Sequence, residues 1–210
     1  MKRIMMVLAV LACALLSSVA WADSIDLFNG IALINKYGTV SISNDGISTT
    51  GSEMVEFDGI VAPKGHSLGS VIFSTGALMT GSLQGGGTFS SVGSIFQVIG
   101  KGHYGQPTGT IFSGSFLGPI EWTLISEKGA NLTFLLSGLL EGQVYTGRMI
   151  FMKTNQTIVT TKGQLAHGIG HILSGTTSTH GLNPEPGSFV LIGTGLAGIF
   201  GVARRRLTGR

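Results

Sequence analysis

Five histidines, ten carboxylates and a single cysteine carry most of the reactive chemistry this 210-residue chain can offer. His167 and His171, in His-Gly-Ile-Gly-His, stand four apart, the interval that puts two imidazoles on one helix face to share a zinc ion. Gly168 and Gly170 disfavour that helix, and no glutamate stands between the histidines. On a strand the same interval spans about 13 Å, too far for one ion bound at about 2 Å per ligand. Turn or strand-end histidines are expected instead. His66, His103 and His180 sit in loop-like contexts and show no cluster. Glu53, Glu56 and Asp58 could supply the carboxylate pair of a glycoside hydrolase, since strand residues two apart are about 6.6 Å apart at the backbone. A solvated acidic face has the same pattern, and that is the reading preferred here. Gly-Thr-Gly-Leu-Ala-Gly at 193–198 matches the dinucleotide fingerprint, but the strands before it suggest no βαβ unit and only 12 residues follow it. Catalytic, cofactor and metal-binding residues are therefore expected to be absent, and no phosphate loop, calcium loop or nucleophile elbow is seen.

The ends of the chain account for its basic character. Lys2 and Arg3 precede an apolar run from Ile4 to Leu16, and Ala20 and Ala22 place small residues where a signal peptidase reads them. A signal peptide over 1–22 is expected, making Asp23 the first mature residue. A rival reading lipidates Cys13, which leaves a hydrophobic stretch of only about eight residues. With the signal removed the mature chain has no cysteine, so disulfides and thiolate chemistry are excluded. Between Asp23 and Asn183 there are seven cationic side chains against nine anionic ones, a net charge of −2. A nucleic-acid binder would carry its basic excess on the folded body, so nucleic acid is not an expected partner.

That body, 23–180, reads as strands joined by tight turns. Glycine supplies 34 residues with no Gly-X-Y period, and charged residues only 11%. Thr39–Ser43 alternates, and Asp45-Gly46 suggests a type I′ hairpin to the next strand. In Val-Glu-Phe-Asp, Val55 and Phe57 share one face, opposite Glu56 and Asp58. Ile120, Trp122 and Leu124 point inward from a strand whose Glu121 and Thr123 point out. Turns at Ser-Glu-Lys-Gly-Ala and Glu-Gly-Gln then make an antiparallel meander with the runs that follow. Interior glycine costs a helix about 1 kcal/mol each, so helices are expected to be few. The predicted fold is one all-β domain, an antiparallel glycine-rich sandwich or barrel, with an N-terminal signal helix and a C-terminal transmembrane helix over 188–203. Asn131 and Asn155 match the glycosylation acceptor pattern, which recurs by chance.

After a linker, 181–187, the residues from Ser188 to Ala203 are mostly apolar and reach about 24 Å as a helix. That is short for a hydrocarbon core of about 30 Å, but arginines can snorkel to the headgroups. Arg204, Arg205 and Arg206 open a basic tail, 204–210, and predict that it is cytoplasmic. Pro184 and Pro186 hold Glu185 in extended backbone, a form that a membrane-embedded peptidase can bind. Pro184-Glu185-Pro186, the glycine-rich apolar span and the arginine cluster together resemble the PEP-CTERM sorting signal. The resemblance covers about the last 28 residues. It implies recognition by an exosortase, a membrane transpeptidase-like enzyme, and association with exopolysaccharide and biofilm matrix.

The function expected is therefore that of a non-enzymatic exported protein, anchored transiently in the inner membrane and then released to the cell surface or extracellular matrix. Its expected partners are signal peptidase, the exosortase, the membrane and an exopolysaccharide. The alternative is a carbohydrate-binding or carbohydrate-cleaving β-sandwich sent by the same route, and a third reading is a permanently anchored envelope protein. An exposed aromatic row would favour a glycan binder. Of the two tryptophans, Trp21 leaves with the signal and Trp122 is expected to be buried, which favours the structural role. N-terminal sequencing of the exported protein should begin at Asp23; a lipid on Cys13 would refute this.

Overall fold

A computed structural model of the chain describes residues 32–179. The expected signal segment with Ala20 and Ala22, the Pro184-Glu185-Pro186 linker, the apolar span 188–203 and Arg204, Arg205 and Arg206 lie outside them. Among the described residues no helix is long and apolar enough to cross a membrane.

A long hairpin opens the fold. Its first arm is β1 (Ala32–Lys36) and β2 (Thr39–Ser43), and its second is β3 (Gly46–Thr50) and β4 (Ser52–Phe57). After β5 (Ile60–Val61), the chain continues through β6 (Gly69–Ser74), the small hairpin β7 (Leu78–Ser82) and β8 (Gly86–Phe89), and β9 (Ile95–Lys101). Then come β10 (Thr108–Lys128), β11 (Asn131–Val144), β12 (Met149–Thr161), a single-turn helix α1 (Lys162–Ala166) and β13 (Ile169–Thr179).

Pairing closes these strands into a barrel. The ring runs β1, β4, β6, β9, β10, β11, β12, β13 and back to β1, antiparallel at every step. Toward the other end of the barrel, β2 and β3 take the places of β1 and β4, with β2 beside β13 and β3 beside β6. The opening hairpin thus supplies two ring strands, each broken once: between β1 and β2 at Tyr37-Gly38, and between β3 and β4 at Gly51. The predicted sandwich-or-barrel is a barrel.

Alternation fills the inside. On β11, Leu132, Phe134, Leu136, Leu140 and Val144 are buried, and on β12, Met152, Thr154, Gln156, Ile158 and Thr160 are buried. Phe96 packs edge-on against Phe112 and Phe116 and parallel to Phe73, with centroids 6.0–6.2 Å apart. Trp122 is buried as expected, stacked on Phe134 at 4.2 Å, and its indole N–H donates to Leu83 O (3.0 Å). The void between Leu33, Phe57, Phe112 and Met152 holds only about 10 Å³. Eight strands leave just enough room for side chains or one small ligand; here side chains take it.

Three local readings are corrected. The β2–β3 turn is made by Asn44 and Asp45, with Ser43 opposite Gly46, and neither turn residue has the positive φ of a type I′ turn. Glu141-Gly142-Gln143 does not turn the chain; β11 runs through it, and the reversal falls at Tyr145–Arg148. Gly142 is there for close approach, since a Cβ would come within 2.5 Å of Ser113 O on β10. Finally, Val55 does not share a face with Phe57. Ile34 pairs with Glu56 and Asn35 with Met54, so Val55 is an extra residue that bulges β4 and sends Glu56 and Val55 outward.

Inside the seam where β1 meets β13 lies a buried polar network. Asn35 Nδ2 donates to Ser52 Oγ (2.8 Å) and to Gln156 Oε1 (2.8 Å), and Gln156 Nε2 donates to Asn35 Oδ1 (3.1 Å) and Thr154 Oγ1 (2.9 Å). Thr154 and Thr177 hydroxyls share a further bond at 2.9 Å. Both amide groups use all their N–H donors, the condition for burying them without penalty. Gly175 makes the room, because a Cβ there would collide with both amide oxygens. Removing either amide orphans the other, so Asn35→Ala and Gln156→Ala should each lower stability by about 2–4 kcal/mol. Urea unfolding of the single and double variants should give a coupling of about 1 kcal/mol or more. Strictly additive losses would mean that the pair does not act as a unit.

Candidate functional site

With the interior filled, the outer wall is where a ligand of appreciable size can sit. Two adjoining depressions lie there, of about 420 Å³ and 480 Å³, and share Glu53, Gly65 and His66. Their floor comes from the outward residues of β1 and β4. Lys36 follows Asn35 on β1; Glu53 faces out by alternation between buried Ser52 and Met54, and Val55 and Glu56 face out because of the bulge. The 58–68 segment forms one bank. It turns at Asp58-Gly59, pairs Val61 with Glu56, and is tied down by Ala62 N to Val55 O (2.8 Å) and Leu68 N to Met54 O (2.8 Å). Within it Pro63–His66 closes a turn through His66 N to Pro63 O (3.0 Å), with Gly65 at φ 82°, a type II arrangement.

The far bank is the β9–β10 connection, 102–107. Lys101 N donates to Leu68 O (2.9 Å), the buried Gln106 amide donates to the same carbonyl, and Lys101 Nζ donates to Ser67 Oγ. These bonds fix His103 and Tyr104, whose rings stand 6.2 Å apart at 53°. Electrostatically the site is mixed: Lys36, Lys64 and Lys101 are set against Glu53 and Glu56, with the imidazoles of His66 and His103 beside them.

Backbone strain concentrates around it. Among the described residues only Tyr37, Asp58 and Tyr104 are non-glycine residues with positive φ, at 62°, 48° and 60°. Asp58 is the first residue of the turn that leads into the bank. Tyr37 and Tyr104 line the two depressions and remain 63% and 55% exposed. The left-handed region costs an L-residue roughly 1–2 kcal/mol, and a bulky side chain there is a real outlier. Each tyrosine is followed by a glycine that is also left-handed, Gly38 and Gly105. At Gly38 a Cβ would sit 2.6 Å from Ser52 N, so the second position of that pair is closed to larger residues.

The sequence-derived candidates are distributed unevenly. Glu53 and Glu56 do come together in the groove, while Asp58 stays in the turn, not on a strand. His66 and His103, which show no cluster in sequence, line one depression. His167 caps the C-terminus of α1, and His171 is exposed on β13, as a turn and strand reading requires. No group of three or more potential metal ligands occurs among the described residues. Asn131 is exposed at the start of β11 and Asn155 is half-buried on β12; His180 and the 193–198 glycine motif lie outside the described residues. Sequence reasoning missed the tyrosines because it sought aromatic platforms among tryptophans. The available signal was Tyr-Gly at 37–38 and again at 104–105, a pairing suited to two consecutive left-handed residues.

Comparison with known proteins bears on the tail alone. The PEP-CTERM protein-sorting motif matches residues 184–206 and leaves the barrel without a recognised family. No curated protein and no solved structure was found to be similar to the chain. The matched tail implies an exported protein with a membrane-anchoring C-terminal signal, processed by exosortase-type sorting machinery. It is by residues 184–206, and not by its barrel, that this chain is identified as the bearer of a PEP-CTERM sorting motif.

Proposed function

We propose that the chain is a non-enzymatic protein of the cell surface or extracellular matrix, anchored in the inner membrane only until its tail is processed, and associated there with exopolysaccharide. The observation that carries this reading is the sorting motif at 184–206 behind a closed, side-chain-filled barrel. A filled barrel has no internal chamber for a substrate, so it meets its surroundings through its outer wall. In this reading Pro184, Glu185 and Pro186 are read by the exosortase, the span 188–203 is a temporary stop, and Arg204, Arg205 and Arg206 hold the tail end on the cytoplasmic side.

The reading is tested in the cell. Replacing Pro184, Glu185 and Pro186 together with alanine lets a helix extend upstream and removes the carboxylate, so unprocessed protein should accumulate in the membrane fraction. Unchanged processing would make the segment an ordinary permanent anchor.

A carbohydrate-cleaving protein is the second reading, favoured by one observation: Glu53 and Glu56 line the same groove. Incubation of the protein with exopolysaccharides should give no reducing-end release. Release that disappears in Glu53→Gln or Glu56→Gln would make the protein a glycosidase.

A further inference from the structure

We infer that the groove between Tyr37 and Tyr104 is a binding site for an extended, carboxylate-bearing polysaccharide. This rests on the reading of the protein as a matrix component and adds to it a place, a ligand class and named residues.

Shape is the first ground. The two depressions join through Glu53, Gly65 and His66 into one trough along β4. Each lies within the roughly 300–1,000 Å³ of small-molecule sites, so together they suit several linked units better than one compact ligand. The second ground is the tyrosines. Pyranose rings present flat C–H faces that stack on an aromatic face, and tyrosine adds a hydroxyl for the sugar's own hydroxyls. Strained backbone persists where the surroundings hold it and gathers at ligand clamps, and these two tyrosines are held in the left-handed region at the trough.

Charge selects the class. Glu53 and Glu56 can accept hydrogen bonds from ring hydroxyls, but three lysines outnumber them. Three of the seven Lys and Arg residues in the described body stand at this one groove. Charge-assisted bonds from such groups favour carboxylates, which uronic-acid polymers carry at regular intervals. A single-stranded nucleic acid would also stack on tyrosine and pair with lysine. The two glutamates on the floor can accept from a uronate's free ring hydroxyls, donors that a deoxyribose-phosphate backbone lacks.

The test uses the full-length chain in mild detergent, titrated with alginate and polygalacturonate oligosaccharides, a neutral β-glucan and oligo(dT). Glycine adopts positive φ without cost, so Tyr37→Gly and Tyr104→Gly remove the rings while keeping the backbone. Each should weaken uronate binding about fivefold or more with the melting temperature unchanged or raised. Lys64→Gln and Lys101→Gln read the groove without touching the strained positions, and should lower affinity and flatten its salt dependence. Tyr145→Ala, an exposed tyrosine in the β11–β12 turn, should leave binding intact. Absence of uronate binding, or binding indifferent to all four groove variants, overturns the site. Equal, salt-insensitive binding of the neutral glucan overturns the acidic class, and tighter binding of oligo(dT) assigns the groove to nucleic acid. Normal tail processing alongside any of these failures leaves the sorting reading standing.

Discussion

The pairing of β1 with β13, Ala32 opposite Ser178 through Asn35 opposite Gly175, joins the first described strand to the last. Together with β2 against β13 toward the other end of the barrel, it closes the ring; without both, the described strands would form an open sheet with two free edges and an exposed apolar face. No disulfide is available to hold those ends together, so strand pairing and packing must do so. Hydrogen bonds along a seam do not by themselves fix register, because a slipped strand can make as many. Register is fixed by what the side chains meet inside. Here Asn35 can satisfy its amide only opposite Gln156, and only while Gly175 leaves both oxygens room. A one-residue slip would turn Asn35 to solvent and leave Gln156 Oε1 and one of its two N–H donors buried without a partner, at a cost of about 1–3 kcal/mol. The amide pair therefore selects one closure from several that apolar residues alone would permit.

The groove follows from the same seam. Asn35 faces inward, and so does Val40, five residues later. Simple alternation cannot bring both inside. The break at Tyr37-Gly38 reverses the alternation, and the partner arm does the same around Gly51, where Thr49 and Ser52 are both buried. The bulge at Val55 makes a second adjustment opposite Ile34 and Asn35. Together these irregularities push Tyr37, Glu53, Val55 and Glu56 to the outer wall. The strain at Tyr37 is thus the local cost of closing the barrel on a polar seam. What remains particular to the position is that a tyrosine occupies it, where glycine or asparagine would be less strained.

How much of this was legible depended on the range of the interaction involved. Alternation at Ile120, Trp122 and Leu124, and the β10–β11–β12 meander, could be read directly because facing is set by residues two apart. The turn at Glu141-Gly142-Gln143 was misread because glycine marks both a reversal and a close approach, and only the neighbour across the sheet, Ser113, tells them apart. Val55 was misassigned because its bulge is imposed by β1, some 20 residues away in sequence. The convergence of His66 and His103 could not be read at all. It depends on the pairing of β6 with β9, Gly69 opposite Gly100, which brings the two connecting segments side by side. Conversely, the tail motif was fully legible, since its information is local and its reader is an enzyme rather than this chain's own fold.

Closure also constrains how the protein can meet a partner. A sheet rich in strands and poor in charge invites edge-to-edge association. The ring removes most of that opportunity, because each of its eight members has a neighbour on both sides over much of its length, although residues 123–128 of β10 are paired by β11 alone. Outside the ring, β5 offers two residues. The other exception, β7, ends the path of paired strands, but its register against β8 shifts between Leu78 and Thr80, and Leu78 N is already bonded to Asn44 O (2.8 Å). Backbone edges are therefore a poor basis for recognition by this barrel. Outward side chains are the alternative, and on a wall this sparsely charged the groove gathers two exposed tyrosines and three lysines.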